Sequence, residues 1–137
     1  MSKVQDIMTG EVVTIRPEAT IDEAVSLLLD NRVSGLPVVD NDNRLLGVIS
    51  EIDIIDLVYK ADIESSRVCD HMTRDVRTVD AQASLDDAAS IFCSMPIRRL
   101  PVTRKGRLVG ILSRRDLIRF VRDVRRHAAS NAMANSQ

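Results

Sequence analysis

At 137 residues, with 45% apolar and 28% charged residues, the chain is sized for one compact module or two half-sized units sharing a core. A net charge of −1 excludes general polyanion binding, and 2% aromatics with no Trp leave no platform for stacking bases. No apolar run approaches the ~20 residues of a membrane span and no apolar leader opens the chain, so the sequence predicts a soluble cytoplasmic protein with Cys69 and Cys93 reduced and no membrane partner.

Taken in order, EVVTI (11–15) is β-branched and predicts a short strand. Thr20-Ile-Asp-Glu23 has capping-box spacing and opens a helix with apolar residues at helical period. GLPVVD (35–40) predicts a strand with proline near its start or edge, and RLLGVIS (44–50) its hairpin partner across an Asn/Asp turn. A second helix is expected to begin at Ser50. After a polar connection, YKADIESSR (59–67), the same order returns: DVRTV (75–79), a helix from Ser84-Leu-Asp-Asp87, RLPVTR (99–104), RLVGILS (107–113) and a helix from Ser113. Residues 128–137, AASNAMANSQ, read as a disordered tail.

The recurrence is a true internal repeat. Residues 4–58 align with 68–121 with a one-residue difference in the hairpin loop, and identical pairs such as Asp6/Asp70, Met8/Met72, Pro37/Pro101, Gly47/Gly110 and Asp53/Asp116 are spread over the whole unit. The predicted fold class is therefore α/β (α+β): two β-α-β-β-α repeats, 1–60 and 61–127, packed about a pseudo-twofold axis because neither half has much core alone.

Each repeat ends its hairpin with one phrase, GVISEIDI (47–54) and GILSRRDL (110–117). Ser-x-x-Asp at a strand-to-helix junction is an N-cap with an acidic third position, and capping alone accounts for it. The same geometry also suits a ligand. A carboxylate in the first turn can accept two hydrogen bonds from a vicinal diol, and the helix start presents N–H groups to a phosphate. Both accounts stand at the level of these four residues.

The motifs D-x-M-T, L-P-V, R-L-x-G and G-h-h-S-x-x-D (h apolar) recur in order in both halves, over residues 3–122. In this the chain resembles two tandem CBS domains, named after cystathionine β-synthase, which together form a Bateman module. The resemblance implies binding of an adenosine derivative (AMP, ADP, ATP or S-adenosylmethionine) in clefts between the repeats, with no obligatory cofactor. Carried over by motif, one site combines Ser113 and Asp116 with Val13, Val33, Ser34, Gly35 and Pro37; the other combines Ser50 and Asp53 with Val76, Ile97, Arg98 and Arg99. The sites are unequal, because Arg115 precedes Asp116 whereas Glu51 and Ile52 precede Asp53, so the Asp116 site is the expected anion site. At least one of Arg98 and Arg99 is expected near ligand, and both can serve one phosphate only if the strand begins after them.

Other signals carry less. Cys69 and His71 are too few for a zinc site, so His71 reads as a surface histidine. Asp22-Glu23 and Asp86-Asp87 are explained by helix starts. Arg114, Arg115, Arg119, Arg122, Arg125 and Arg126 read as a solvated basic face, with nucleic acid disfavoured. The resulting expectation is a non-enzymatic adenine-nucleotide sensor, homodimeric through its helices, acting on a separate regulated protein; the competing expectation is a ligand-free interaction or dimerisation scaffold.

Overall fold

The computed structural model describes residues 2–60 and 63–135. In chain order the elements are α1 (Val4–Ile7), α2 (Ile21–Asn31), β1 (Gly35–Val39), β2 (Leu45–Ser50), α3 (Glu51–Asp56) with a 3-10 turn (Leu57–Tyr59), α4 (Val68–His71), β3 (Val79–Asp80), α5 (Leu85–Ser94), β4 (Arg99–Arg104), β5 (Arg107–Ser113) and α6 (Arg114–Asn135). The strands form two sheets, ordered β1-β2 and β3-β4-β5, with antiparallel hairpins and β3 parallel to β4.

The helix starts follow the sequence closely. Thr20 accepts from the Glu23 N–H (3.1 Å), Ser84 from the Asp87 N–H (3.1 Å), and Ser50 and Ser113 cap α3 and α6. Three expectations are corrected. Residues 11–14 form no strand; Ile15 alone bridges to Val38, and in the second repeat only Val79–Asp80 pairs. Residues 128–135 continue α6 instead of forming a disordered tail; residues 136–137 lie outside the described residues. His71 is half-buried rather than at the surface.

The sequence does not announce how the two repeats are joined: each lends its leading segment to the other. The Val4 and Gln5 N–H groups donate to the Ala83 and Ala81 carbonyls (3.0 and 2.9 Å), and Val4 is fully buried with Val79, Leu100 and Leu112 in the core of the second repeat. Reciprocally, the Val68 and Cys69 N–H groups donate to Ala19 and Pro17 (both 2.9 Å), and Val68 and Met72 complete the core of the first repeat with Ile15, Leu36 and Ile49. The hairpin turns also meet: the Leu45 N–H donates to Gly106 (3.2 Å) and the Leu108 N–H to Asn43 (2.9 Å).

These crossings explain one glycine in each copy of the repeated phrase. Thr9 exchanges backbone hydrogen bonds with Ile111 (both 2.9 Å), and Thr73 does so with Val48 (2.9 and 2.8 Å). A Cβ on Gly110 would sit 2.6 Å from the Met8 sulfur and 2.8 Å from the Thr9 carbonyl; on Gly47 it would sit 2.5 Å from the Thr73 carbonyl. One obstacle in each case is backbone, which cannot rotate aside. Gly110→Ala is therefore expected to cost ~1–3 kcal/mol by urea denaturation, the usual range for overpacking; an unchanged midpoint would show that the crossing segment yields freely.

Candidate functional site

Because the leading segments cross over, two clefts form along the seam between the repeats. The first, of about 690 Å³, is lined by Thr9 and residues 11–13 of the crossing segment, Val33, Gly35 and Pro37 of the first repeat, and Arg98, Arg99, Ser113, Arg115 and Asp116 of the second, with Arg114 and Arg119 on its rim. The second, of about 580 Å³, holds the equivalent group: Ser50, Asp53, Thr73, Val76, Ile97, Arg98 and Arg99. Every residue expected at these sites borders the cleft to which it was assigned except Ser34. It lines the Asp53 cleft, where its hydroxyl accepts from the Arg99 guanidinium (3.0 Å).

Asp116 shows the capping account realised. Its Oδ2 accepts from the Ser113 N–H (2.9 Å), while the Asp116 N–H donates to Ser113 Oγ (3.1 Å). Its Oδ1 accepts from Arg119 Nη1 (2.9 Å), and the carboxylate is only 5% exposed against 59% for Arg119. Each carboxylate oxygen has a second lone pair, so acceptor capacity remains beyond these bonds. Asp53 is capped alike, with Oδ2 accepting from the Ser50 N–H (2.8 Å) and hydroxyl (2.9 Å); its Oδ1 accepts from Thr73 Oγ1 (3.2 Å) instead of from an arginine.

The helix starts offer an anion less than the sequence implied. The first helical N–H of α3, on Glu51, donates to the Ser34 carbonyl, and that of α6, on Arg114, donates to the Arg98 carbonyl (both 3.0 Å). The third is spent on the capping serine in each helix. Side-chain charge must therefore do most of the work. Here the clefts differ: the Asp116 cleft is bordered by Arg98, Arg99, Arg114, Arg115 and Arg119 against Glu11 and Asp116. In the Asp53 cleft Arg77, Arg98 and Arg99 are offset by Glu51, Asp53 and Asp75. The strand does not begin after both arginines, as one phosphate shared by the two was expected to require: β4 starts at Arg99; Arg98, which precedes it, is outside the alternation, and both residues border both clefts.

Arg119, Thr9 and Thr73 escaped the sequence reading. The threonines are the last letters of D-x-M-T, and Arg119 lies one helical turn beyond Asp116, a spacing at which side chains meet. The first-repeat equivalent of Arg119 is Asp56, whose carboxyl is held below its ordinary range by a hydrogen bond from Lys60 (2.7 Å) and by that residue's charge.

The CBS domain profile matches residues 4–60 and again 68–123. The chain belongs to the CBS domain family. As a CBS pair it is 36% identical over 118 residues to protein MJ1225 of Methanocaldococcus jannaschii, a match covering 86% of this chain but only 42% of that protein. It superposes with a TM-score of 0.82 on Arabidopsis thaliana CBSX2 in complex with AMP, at 31% identity, covering 91% of this chain and 99% of that one. It matches the CBS pair of MJ0100, in complex with 5′-methylthioadenosine and S-adenosyl-L-methionine, with a TM-score of 0.73 at 27% identity, covering 88% and 96%. Among the described residues no helix is long and apolar enough to cross a membrane.

Proposed function

We propose that this CBS pair is a regulatory sensor of adenosine-containing ligands, acting as a homodimer on a separate partner and catalysing no reaction itself. One observation carries the reading: the Asp116 cleft joins a small apolar wall at Val13, Val33 and Gly35 to a carboxylate on a helix start and an arginine-rich rim. A purine rests on the first, a ribose diol hydrogen-bonds the second, and phosphates meet Arg98, Arg99 and Arg115. Binding of AMP by CBSX2, and of 5′-methylthioadenosine and S-adenosyl-L-methionine by MJ0100, supports the ligand class. A ligand spanning the seam touches both repeats at once and so reaches the packing between them.

Thermal denaturation against adenosine, AMP, ADP, ATP and S-adenosylmethionine tests this. A ligand at 100 times its dissociation constant adds ~2.7 kcal/mol, which for a domain of this size raises Tm by roughly 10 °C. AMP is expected to stabilise more than adenosine, and added salt to narrow the gap, because screening acts on the phosphate–arginine attraction. Replacing Arg99 and Arg115 together by Ala is expected to close most of that gap while leaving adenosine binding nearly intact. No shift with any adenosine compound at millimolar concentration would favour the ligand-free scaffold, in which Ser113 and Asp116 are a cap and nothing more.

A further inference from the structure

The two capping carboxylates are built alike but closed differently. Asp116 and Asp53 hold the same place in the repeated phrase, and Oδ2 of each accepts from the N–H of its serine, Ser113 or Ser50. Their other oxygens diverge. Asp116 is buried, its side chain 5% exposed, with Arg119 Nη1 on its Oδ1 at 2.9 Å. Asp53 is only half-buried, and Asp56 stands where the second repeat has Arg119. The Asp56 carboxylate is held by Lys60 (2.7 Å) and leaves Asp53 Oδ1 to Thr73 (3.2 Å).

The group that covers Asp116 is the loose member of the pair. Arg119 is 59% exposed, and Asp116 is its only bonded partner among the described residues. It reaches that carboxylate across one helical turn, at i, i+3, so side-chain rotation alone releases it. It also borders the same cleft as Arg98, Arg99 and Arg115.

We infer that Arg119 is a specificity-determining residue of this cleft: it closes Asp116 to an uncharged nucleoside and is drawn off by a ligand that brings an anion of its own. This rests on the reading of the cleft as an adenosine site and adds what that site selects. Lone pairs remain on both Asp116 oxygens, but a ribose cannot reach so buried a carboxylate past the guanidinium. Its diol must replace a hydrogen bond in which both partners are charged, and such bonds are the stronger kind. Adenosine offers the displaced cation only water. AMP offers it a phosphate, which the planar guanidinium fork fits, so part of the lost attraction is recovered. The Asp53 cleft has no such closure, because an acid occupies the equivalent position.

The test is calorimetric and uses the full chain with Asp53→Ala as parent, so that binding is read from the Asp116 cleft. Adenosine and AMP are titrated at low and high sodium chloride into the parent and into versions adding Arg119→Met, which removes the charge, or Arg119→Lys, which keeps it. In the parent, adenosine is expected to bind more tightly as salt rises, because screening weakens the exposed ion pair that it must displace. Arg119→Met should tighten adenosine about fivefold, the size of one such pair, and should abolish that salt dependence. It should tighten AMP less, and Arg119→Lys should stay nearer the parent for both ligands. Adenosine binding that Arg119→Met weakens or leaves unchanged would overturn the inference, as would a parent whose adenosine affinity ignores salt. Equal gains for adenosine and AMP would overturn the selection. Wild-type protein that binds no adenosine compound would end the ligand reading itself. Binding by the wild type but not by the parent would move the ligand to the Asp53 cleft and overturn this inference alone.

Discussion

Val4→Asp is expected to destabilise the protein severely and to loosen the second repeat before the first, although residue 4 belongs to the first by sequence. The Val4 side chain is fully buried among Val79, Ala88, Leu100, Val102 and Leu112. An unpaired charge there costs several kcal/mol, a large part of the ~5–15 kcal/mol that holds a domain together. Hydrogen exchange should lose protection first over 79–112 and later over 15–49. Val68→Asp should do the reverse, because Val68 sits with Ile15, Leu36, Val38 and Ile49. Should Val4→Asp prove too unstable to purify, Val4→Ala removes two methyl-sized groups for ~1–2 kcal/mol and permits the same comparison. Faster exchange confined to 15–49 in a Val4 variant would contradict the reciprocal exchange of leading segments.

The second large effect is on binding. Asp116→Ala is expected to weaken AMP at least tenfold by calorimetry, the loss of about one charge-assisted hydrogen bond to ribose, where a factor of ten corresponds to ~1.4 kcal/mol. The accompanying loss of stability should stay within the ~0.5–2 kcal/mol of an N-cap change, because Arg119, already 59% exposed, can turn to water once its partner is gone. Asp53→Ala should cost less affinity, since Glu51 and Asp75 offset the arginines of that cleft. Lost stability with unchanged affinity in Asp116→Ala would end the ribose role; equal losses from the two substitutions would show that the charge difference between the clefts does not govern binding.

Much of the architecture was legible because local rules and the global fold agree. Thr20, Ser50, Ser84 and Ser113 mark four helix starts through their own hydrogen bonds, and the alternation of buried residues in β5 is visible in Arg-Leu-Val-Gly-Ile-Leu-Ser. What the sequence hides is which copy a segment packs on. In a duplicated chain the first repeat's Met8 and the second repeat's Met72 sit in the same D-x-M-T pattern, so the pattern does not say which core each joins. Only the path of the chain in three dimensions decides. The segment 11–14 misleads for a related reason: its β-branched residues look like a strand, but Val12 and Val13 border the cleft and the segment pairs with no strand. At the cleft, motif spacing picked out Asp116 and Arg115, which border it. It missed Arg119, because a basic helical face reads as solvated until one knows that a buried carboxylate lies beneath it.

The crossing of leading segments also fixes the order in which the protein can be finished during synthesis. The first repeat lacks Val68 and Met72 until the opening of the second has been made, so its core cannot close when its own last helix emerges. Val4, made first, must wait for Leu100 and Leu112, made near the end. Contacts between residues this far apart in the chain form late and slowly. On the ribosome, therefore, neither repeat closes as a unit by itself, and a chain stalled between them carries one open core and an uncovered Val4 segment until synthesis is completed.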